Sequence, residues 1–186
     1  MPFITARARR AAAVALVAAL PALAVPAVAG AGPGKHPKPL HATLLGAFAF
    51  GACPGDAPAG ALCLHDRLSG AIKGIGPVHG EFDVAIDAAR TGPDNVAPIA
   101  KRGSFTTADG ERLDMVASGT FDFTASVASY TYTITGGSGR FRAASGTGRW
   151  LVPAPSSFDP ATGTGTGDEI LDGTLLREHC APGRVP

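Results

Sequence analysis

The chain has 186 residues, of which 45% are hydrophobic and 17% are charged, with 16 basic and 15 acidic side chains. Apolar residues recur along most of the sequence, which excludes an intrinsically disordered protein. Because no block of like charge is present, the composition gives no reason to expect nucleic acid or an anionic membrane as a partner.

The first 29 residues have the pattern of a signal peptide. Residues 1–10 carry three arginines and no acid, residues 11–28 are almost wholly apolar, and residues 27–29 (AVA) supply a small-x-small cleavage pattern. The alternative is a retained membrane anchor, which Pro21 and Pro26 disfavour. Cleavage would leave 157 residues from Gly30, with 13 basic and 15 acidic side chains. The sequence therefore predicts a secreted, extracellular protein without an integral membrane segment after cleavage.

After a predicted flexible leader (30–39), the chain becomes a series of short alternating segments. Residues 111–123 (ERLDMVASGTFDF) place apolar or small side chains at every second position, as do residues 80–87 and 129–135. This period of two is typical of strands with one wet face. The pattern predicts a domain over 40–176, a tail over 177–186, and eight strands at about 40–50, 63–74, 79–89, 98–108, 111–124, 129–135, 140–152 and 168–176.

Turn signals separate these strands. Asp109-Gly110 indicates a two-residue hairpin loop. Short turns cannot join parallel strands, so the sheet is expected to be antiparallel. The predicted fold class is all-β, an eight-stranded antiparallel barrel, with a two-sheet β-sandwich as the alternative.

The sequence has three cysteines, whose pairing depends on the cellular compartment of the protein. Export would place them in an oxidising environment, where pairing is the default. Cys53 and Cys63 flank a short loop, and a disulfide between them is the preferred pairing. Cys180 is then left over, although the sequence alone does not fix the connectivity.

The segment 134–148 (ITGGSGRFRAASGTG) is the richest in glycine. It fails as a dinucleotide loop because position 142 is arginine and a strand is predicted to follow. It also lacks the patterns of a Walker loop and of a nucleophile elbow. The remaining interpretation is a turn at 136–139 followed by a strand, with Arg140 and Arg142 on the same outer face as Trp150 and opposite Phe141.

Residues 136–148 resemble the G-G-T-G-x-F-x-x-A-x-G-x-G signature of small secreted bacterial proteins with an allene oxide cyclase-like barrel. This calycin-like architecture is also similar to plant dirigent proteins. The upstream layout of strands and the leading cysteine pair add to the resemblance, and the matching positions are Gly136, Gly137, Gly139, Phe141, Ala144, Gly146 and Gly148. The resemblance implies an eight-stranded antiparallel barrel. It places no catalytic residue on this chain.

The inner faces of the predicted strands converge on one lumen. A barrel of eight strands is wide enough either to fill with side chains or to hold one small apolar ligand, and both possibilities stay open. The candidate ligand-binding residues are Phe48, Phe82, Val84, Phe105, Met115, Phe121, Phe123, Tyr130, Tyr132 and Phe141.

Catalytic and metal-binding residues are not predicted. The acids at positions 81, 83, 87, 114 and 122 alternate with apolar residues and are expected to face solvent. Glu169 shares its parity with Leu171 and Leu175, so it is the one acid that could point inward, although an acid near a strand end is more often wet. The pairs Cys63/His65 and His179/Cys180 have no recognised ligand spacing for zinc. Hence no cofactor is expected.

Two functions remain. The first is a secreted, non-enzymatic barrel that binds a small hydrophobic molecule. The alternative, motivated by the resemblance, is a cyclase- or isomerase-like enzyme acting on an unsaturated lipid or phenolic intermediate. Such an enzyme needs polar groups in the lumen, for which Glu169, Tyr130, Tyr132 and Arg149 are the candidates.

Overall fold

The computed structural model describes residues 37–177. The predicted signal peptide, most of the predicted leader and the segment with His179 and Cys180 lie outside the described residues. Between residues 37 and 177, no helix has both the length and the apolar character needed to cross a membrane.

The described residues form a closed antiparallel barrel. Each of β1 to β6 pairs with the next strand, β7 pairs with β9, and β9 pairs with β1 to close the wall. The strands are β1 (Lys38–Phe50), β2 (Leu62–Ile72), β3 (Gly76–Ile86), β4 (Val96–Thr107), β5 (Arg112–Asp122), β6 (Val127–Gly137), β7 (Gly146–Val152), β8 (Ser157–Asp159) and β9 (Thr164–Leu175). The eight-stranded barrel predicted from the alternation is therefore confirmed.

The seventh predicted strand is partly wrong. Residues 139–141 form a single turn of 3-10 helix, and β7 begins only at Gly146. Phe141 is fully buried, but it projects from this turn and not from a strand. Trp150 is buried inside the barrel and does not share an outer face with arginines. Arg140 stacks instead on Phe141, with its guanidinium carbon 5.0 Å from the ring centre.

Two further features differ from the sequence prediction. The Asp109-Gly110 hairpin is one residue longer than expected: Thr107 and Glu111 pair across a three-residue loop, and Gly110 has a positive φ of 77°. A three-residue loop of this kind combines a turn with a left-handed glycine. The short strand β8 was not predicted; it extends the wall beside residues 164–166 of β9, beyond the end of β7.

The disulfide predicted between Cys53 and Cys63 is present. It joins the loop after β1 to the start of β2, and the two Cα atoms lie 5.1 Å apart. Cys63 is thereby removed as a metal ligand. Within residues 37–177, no group of three or more His, Cys, Asp or Glu side chains is arranged to hold a metal ion.

The interior divides into two halves along the barrel axis. The half where β1 begins and β9 ends is filled by fully buried side chains, among them Leu40, Ile72, Phe105, Leu113, Tyr132 and Phe141. Gly148 and Gly173 form a slot for the Tyr132 ring, because a Cβ atom on either glycine would overlap the phenol. We call this the packed half. The other half, where β1 ends and β9 begins, contains a cavity and is called the open half.

Candidate functional site

The open half encloses a cavity of about 260 Å³ with mainly apolar walls. Val84, Ile86 and Ile99 line it from β3 and β4, and Ala128 and Val152 line it from β6 and β7. These side chains face inward because each lies on the apolar face of its alternating strand. A cavity with such a lining suits a small hydrophobic molecule.

Phenylalanines surround the mouth of the cavity. Phe48, Phe50 and Phe158 form one cluster, with ring centres 6.2–6.3 Å apart. Phe121 and Phe123 form a second, edge-to-face pair at 4.9 Å. Phe50 and Phe158 are 42% and 51% exposed, so the mouth presents apolar surface to solvent.

The floor of the cavity is an ion cluster. The Lys101 ammonium donates to Asp66 Oδ2 at 2.5 Å and to Glu169 Oε2 and Oε1 at 2.7 and 3.0 Å. All three residues are at most 4% exposed. The three N–H groups of the ammonium are thus matched by three carboxyl oxygens.

Aromatic side chains hold this cluster from the side of the packed half. The Trp150 indole N–H donates to Glu169 Oε2 at 2.7 Å. Lys101 Nζ lies 4.2 Å from the centre of a Trp150 ring and 5.3 Å from that of Phe82, distances at which a cation is attracted to the π face. The Lys101 ammonium is therefore held both by the carboxyl groups of Asp66 and Glu169 and by the aromatic rings of Trp150 and Phe82.

The cluster contains two carboxyl groups for one ammonium. Burial, together with the neighbouring Asp66 carboxylate, raises the pKa of Glu169 to about 8 despite the opposing effect of Lys101. The Glu169 carboxyl therefore holds its proton up to a higher pH than an exposed glutamic acid does, which limits the charge that is buried in the cluster. A buried group of this kind avoids the cost of an unpaired charge.

Tyr130 lies above this floor, on β6. It is 4% exposed and lines the cavity, and its hydroxyl forms no hydrogen bond with the residues that the structure describes. Burial raises the pKa of Tyr130 well above its usual value, and the Glu169 and Asp66 carboxyls raise it further. The Tyr130 hydroxyl therefore stays protonated and can donate a hydrogen bond.

The structure separates the ten candidate ligand-binding residues into two groups. Five line the cavity: Phe48, Val84, Phe121, Phe123 and Tyr130. The other five are buried elsewhere in the core and do not border it: Phe82, Phe105, Met115, Tyr132 and Phe141.

Two residues of the floor were missed by the sequence analysis. Asp66 is in phase with Leu64 and Leu68 on β2, and Lys101 is in phase with Ile99 and Phe105 on β4. A charged residue on the apolar phase of a strand is the signal that could have found both. Glu169 was considered for the interior and set aside as more often wet; it is buried.

The other acids and Arg149 lie outside the cavity. Glu81 and Asp83 are exposed, and Asp114 and Asp122 are partly exposed. The expectation for Asp87 is wrong: it is 7% exposed, and its carboxylate accepts a hydrogen bond from Arg90 at 2.5 Å. Arg149 is exposed, and Tyr132 is enclosed in the packed half.

Comparisons with known proteins give a structural likeness but no match in sequence to a family model or a curated protein. Among solved structures, that of a pterocarpan synthase dirigent protein is similar, with a TM-score of 0.46 and 15% sequence identity over 83% of this chain and 92% of that chain.

Proposed function

We propose that this protein is an exported, non-enzymatic barrel that binds one small, mainly apolar molecule in the open half. The observation that carries the proposal is the apolar cavity with phenylalanine side chains around its mouth. Burying apolar surface contributes about 25 cal/mol per Å². A ligand of about twelve non-hydrogen atoms is therefore expected to bind with a Kd on the order of 10–100 μM.

The charged floor is compatible with this role. Lys101, Glu169 and Trp150 satisfy one another, so an entering ligand does not have to break the cluster to bind above it. The phenylalanines at the mouth supply flat surfaces for an aromatic or unsaturated ligand.

Titration with 2-ethylnaphthalene, followed by its fluorescence, tests the proposal. The wild-type protein should show saturable binding at one site. Val84→Trp fills the cavity from β3 and should abolish binding, whereas Val116→Trp places the same side chain on the outer face of β5, where Val116 is 46% exposed, and should leave it unchanged. A wild type that does not bind, or equal loss in both variants at unchanged thermal stability, would contradict the proposal.

Export is the second part of the proposal. It is supported by the signal-peptide pattern of residues 1–29 and by the Cys53–Cys63 disulfide. Intact mass spectrometry of the protein expressed in its secreting host should find it in the medium, beginning near Gly30 and lighter by two hydrogens per disulfide. Recovery only inside cells, with the first 29 residues attached, would contradict export.

A cyclase- or isomerase-like enzyme acting on an unsaturated lipid or phenolic intermediate is the second candidate. It is favoured by the ionisable Glu169 and Tyr130 beside the cavity. Both Glu169 oxygens are already engaged, which leaves the carboxyl poorly placed for proton transfer to a ligand. Chromatographic analysis of products from such substrates should show turnover that Glu169→Gln removes; unchanged substrate would exclude this candidate.

A further inference from the structure

The polar groups around the cavity differ in what they can offer to a ligand. The Lys101 ammonium has used its three N–H groups, and both Glu169 oxygens accept hydrogen bonds. Asp66 Oδ1 has no partner among the described residues, but it is enclosed by protein atoms. The ammonium therefore has no free N–H group to offer to a ligand, and the one carboxyl oxygen without a partner is not accessible from the cavity.

Tyr130 is the exception. Its hydroxyl has no hydrogen-bond partner among residues 37–177, and its side chain lines the cavity. The second tyrosine of the strand, Tyr132, also lacks a partner, but its hydroxyl is sealed in the packed half. A buried polar group without a partner is costly, so a hydroxyl that faces an apolar cavity is suited to be satisfied by what enters.

We infer that Tyr130 is the polar anchor for the ligand, and that the ligand presents an uncharged oxygen acceptor, such as a ketone carbonyl, at its buried end. The Tyr130 O–H donates to this oxygen while the apolar remainder of the ligand lies between the walls and the phenylalanines. This inference rests on the proposed binding function and specifies the ligand class.

A ligand with a carboxylate at that end is excluded by charge. It would lie near two carboxyl groups, and the one ammonium near them is already saturated. Burial of a carboxylate without a free cation costs far more than a neutral hydrogen bond returns. The raised pKa of Tyr130 supports the inference, because the phenol remains a donor across the physiological range.

Three probes with one skeleton test this inference: 2-acetylnaphthalene, 2-ethylnaphthalene and 2-naphthoate. At pH 7, wild-type protein should bind the ketone and the hydrocarbon, and bind naphthoate at least about tenfold more weakly than the ketone. Tyr130→Phe should weaken the ketone about tenfold, because its buried carbonyl loses its donor, and should change the hydrocarbon by less than about twofold.

Tyr132→Phe is the matched control, since it removes a hydroxyl from the same strand outside the cavity; all three probes should bind as they do to the wild type. The infrared carbonyl stretch of bound 2-acetylnaphthalene is a second readout. It should lie at lower frequency in wild type and in Tyr132→Phe than in Tyr130→Phe, as a hydrogen-bonded carbonyl does.

The outcomes separate this inference from the binding function itself. If the hydrocarbon binds but Tyr130→Phe affects ketone and hydrocarbon equally, or affects neither, the anchor is refuted while the binding function stands. Binding of naphthoate as tightly as the ketone would also refute the proposed ligand class. If none of the probes binds to the wild-type protein, both proposals fail.

Discussion

The packed half and the open half of this barrel are built from the same eight strands by the same alternation, yet only one of them is hollow. In the packed half, the large side chains of Phe105, Phe141 and Tyr132 are fully buried. In the open half, valine, isoleucine and alanine line the walls, and the larger Phe50 and Phe158 stand at the rim. The difference shows that side-chain size on the inner face, and not strand pattern, decides where a barrel is hollow.

The ion cluster lies between the two halves. Its partners on the packed side are Trp150 and Phe82, and its carboxyls border the cavity on the other side. Two consequences of the ion cluster, one of the difference between the halves and one of the packed half alone can be measured as changes in the free energy of unfolding.

The largest expected difference between the halves is in the cost of losing a phenyl ring. Phe105→Ala removes a fully buried ring whose centre lies 5.0 Å from the centre of the Phe82 ring. This change should lower the free energy of unfolding by about 3–5 kcal/mol. Phe123→Ala removes a partly exposed ring at the cavity, and should cost about 1 kcal/mol while weakening binding of 2-ethylnaphthalene. Urea denaturation measures both values; equal costs would mean that the two halves are equally packed.

Removing the ammonium between the halves should cost nearly as much. Lys101→Met leaves Asp66 and Glu169 buried without their cation, and is expected to lower the free energy of unfolding by about 3 kcal/mol. Arg102→Met changes the next residue of β4, which forms an exposed ion pair with Asp56, and should have a far smaller effect. The same denaturation experiment compares them. A result in which Arg102→Met is the more harmful of the two would refute a structural role for the cluster.

Particular residues show how far the sequence could predict this structure. Alternation identified the barrel and the inward Phe48, Val84 and Tyr130, because a period of two reports directly on the buried face. It missed the start of β9, where Gly165 and Gly167 occupy inward positions and Phe48 and Pro155 take the space that their side chains would fill. No apolar residue marks the inner face there, so the periodic signal is lost.

The ion cluster on the floor of the cavity was not predicted, for a different reason. Charged residues were assumed to face water, and this rule fails when several of them neutralise one another across strands distant in sequence. The contact of Lys101 with Asp66 and Glu169 spans 35 and 68 positions, so no local pattern announces it. Phe141 shows a third limit, because a 3-10 turn can bury a residue as completely as a strand does.

The pH dependence of stability should show whether the Glu169 carboxyl in the ion cluster carries a proton. The pKa of Glu169 is raised from 4.5 to about 8 by burial, so between these values the folded protein holds a proton that the unfolded chain lacks. The free energy of unfolding should therefore fall by on the order of 1 kcal/mol per pH unit as the pH rises from about 5 to 8, and level off above. Glu169→Gln carries no titrating proton. The difference between wild type and variant, measured by urea denaturation at each pH, should show this slope; a difference independent of pH would mean that Glu169 is ionised.

The smallest expected effect concerns the hydroxyl that is sealed in the packed half. Tyr132 has its hydroxyl wedged between Gly148 and Gly173 with no partner among the described residues, and burial raises its pKa to about 12. Tyr132→Phe removes an unsatisfied group without opening a large space, so the free energy of unfolding should stay the same or rise by about 1 kcal/mol. Tyr130→Phe should show no such gain, because the Tyr130 hydroxyl faces the cavity. A lower free energy of unfolding for Tyr132→Phe would mean that the Tyr132 hydroxyl makes a favourable contact in the folded protein. The surroundings of this hydroxyl would then be polar, in contradiction to the apolar packing described above.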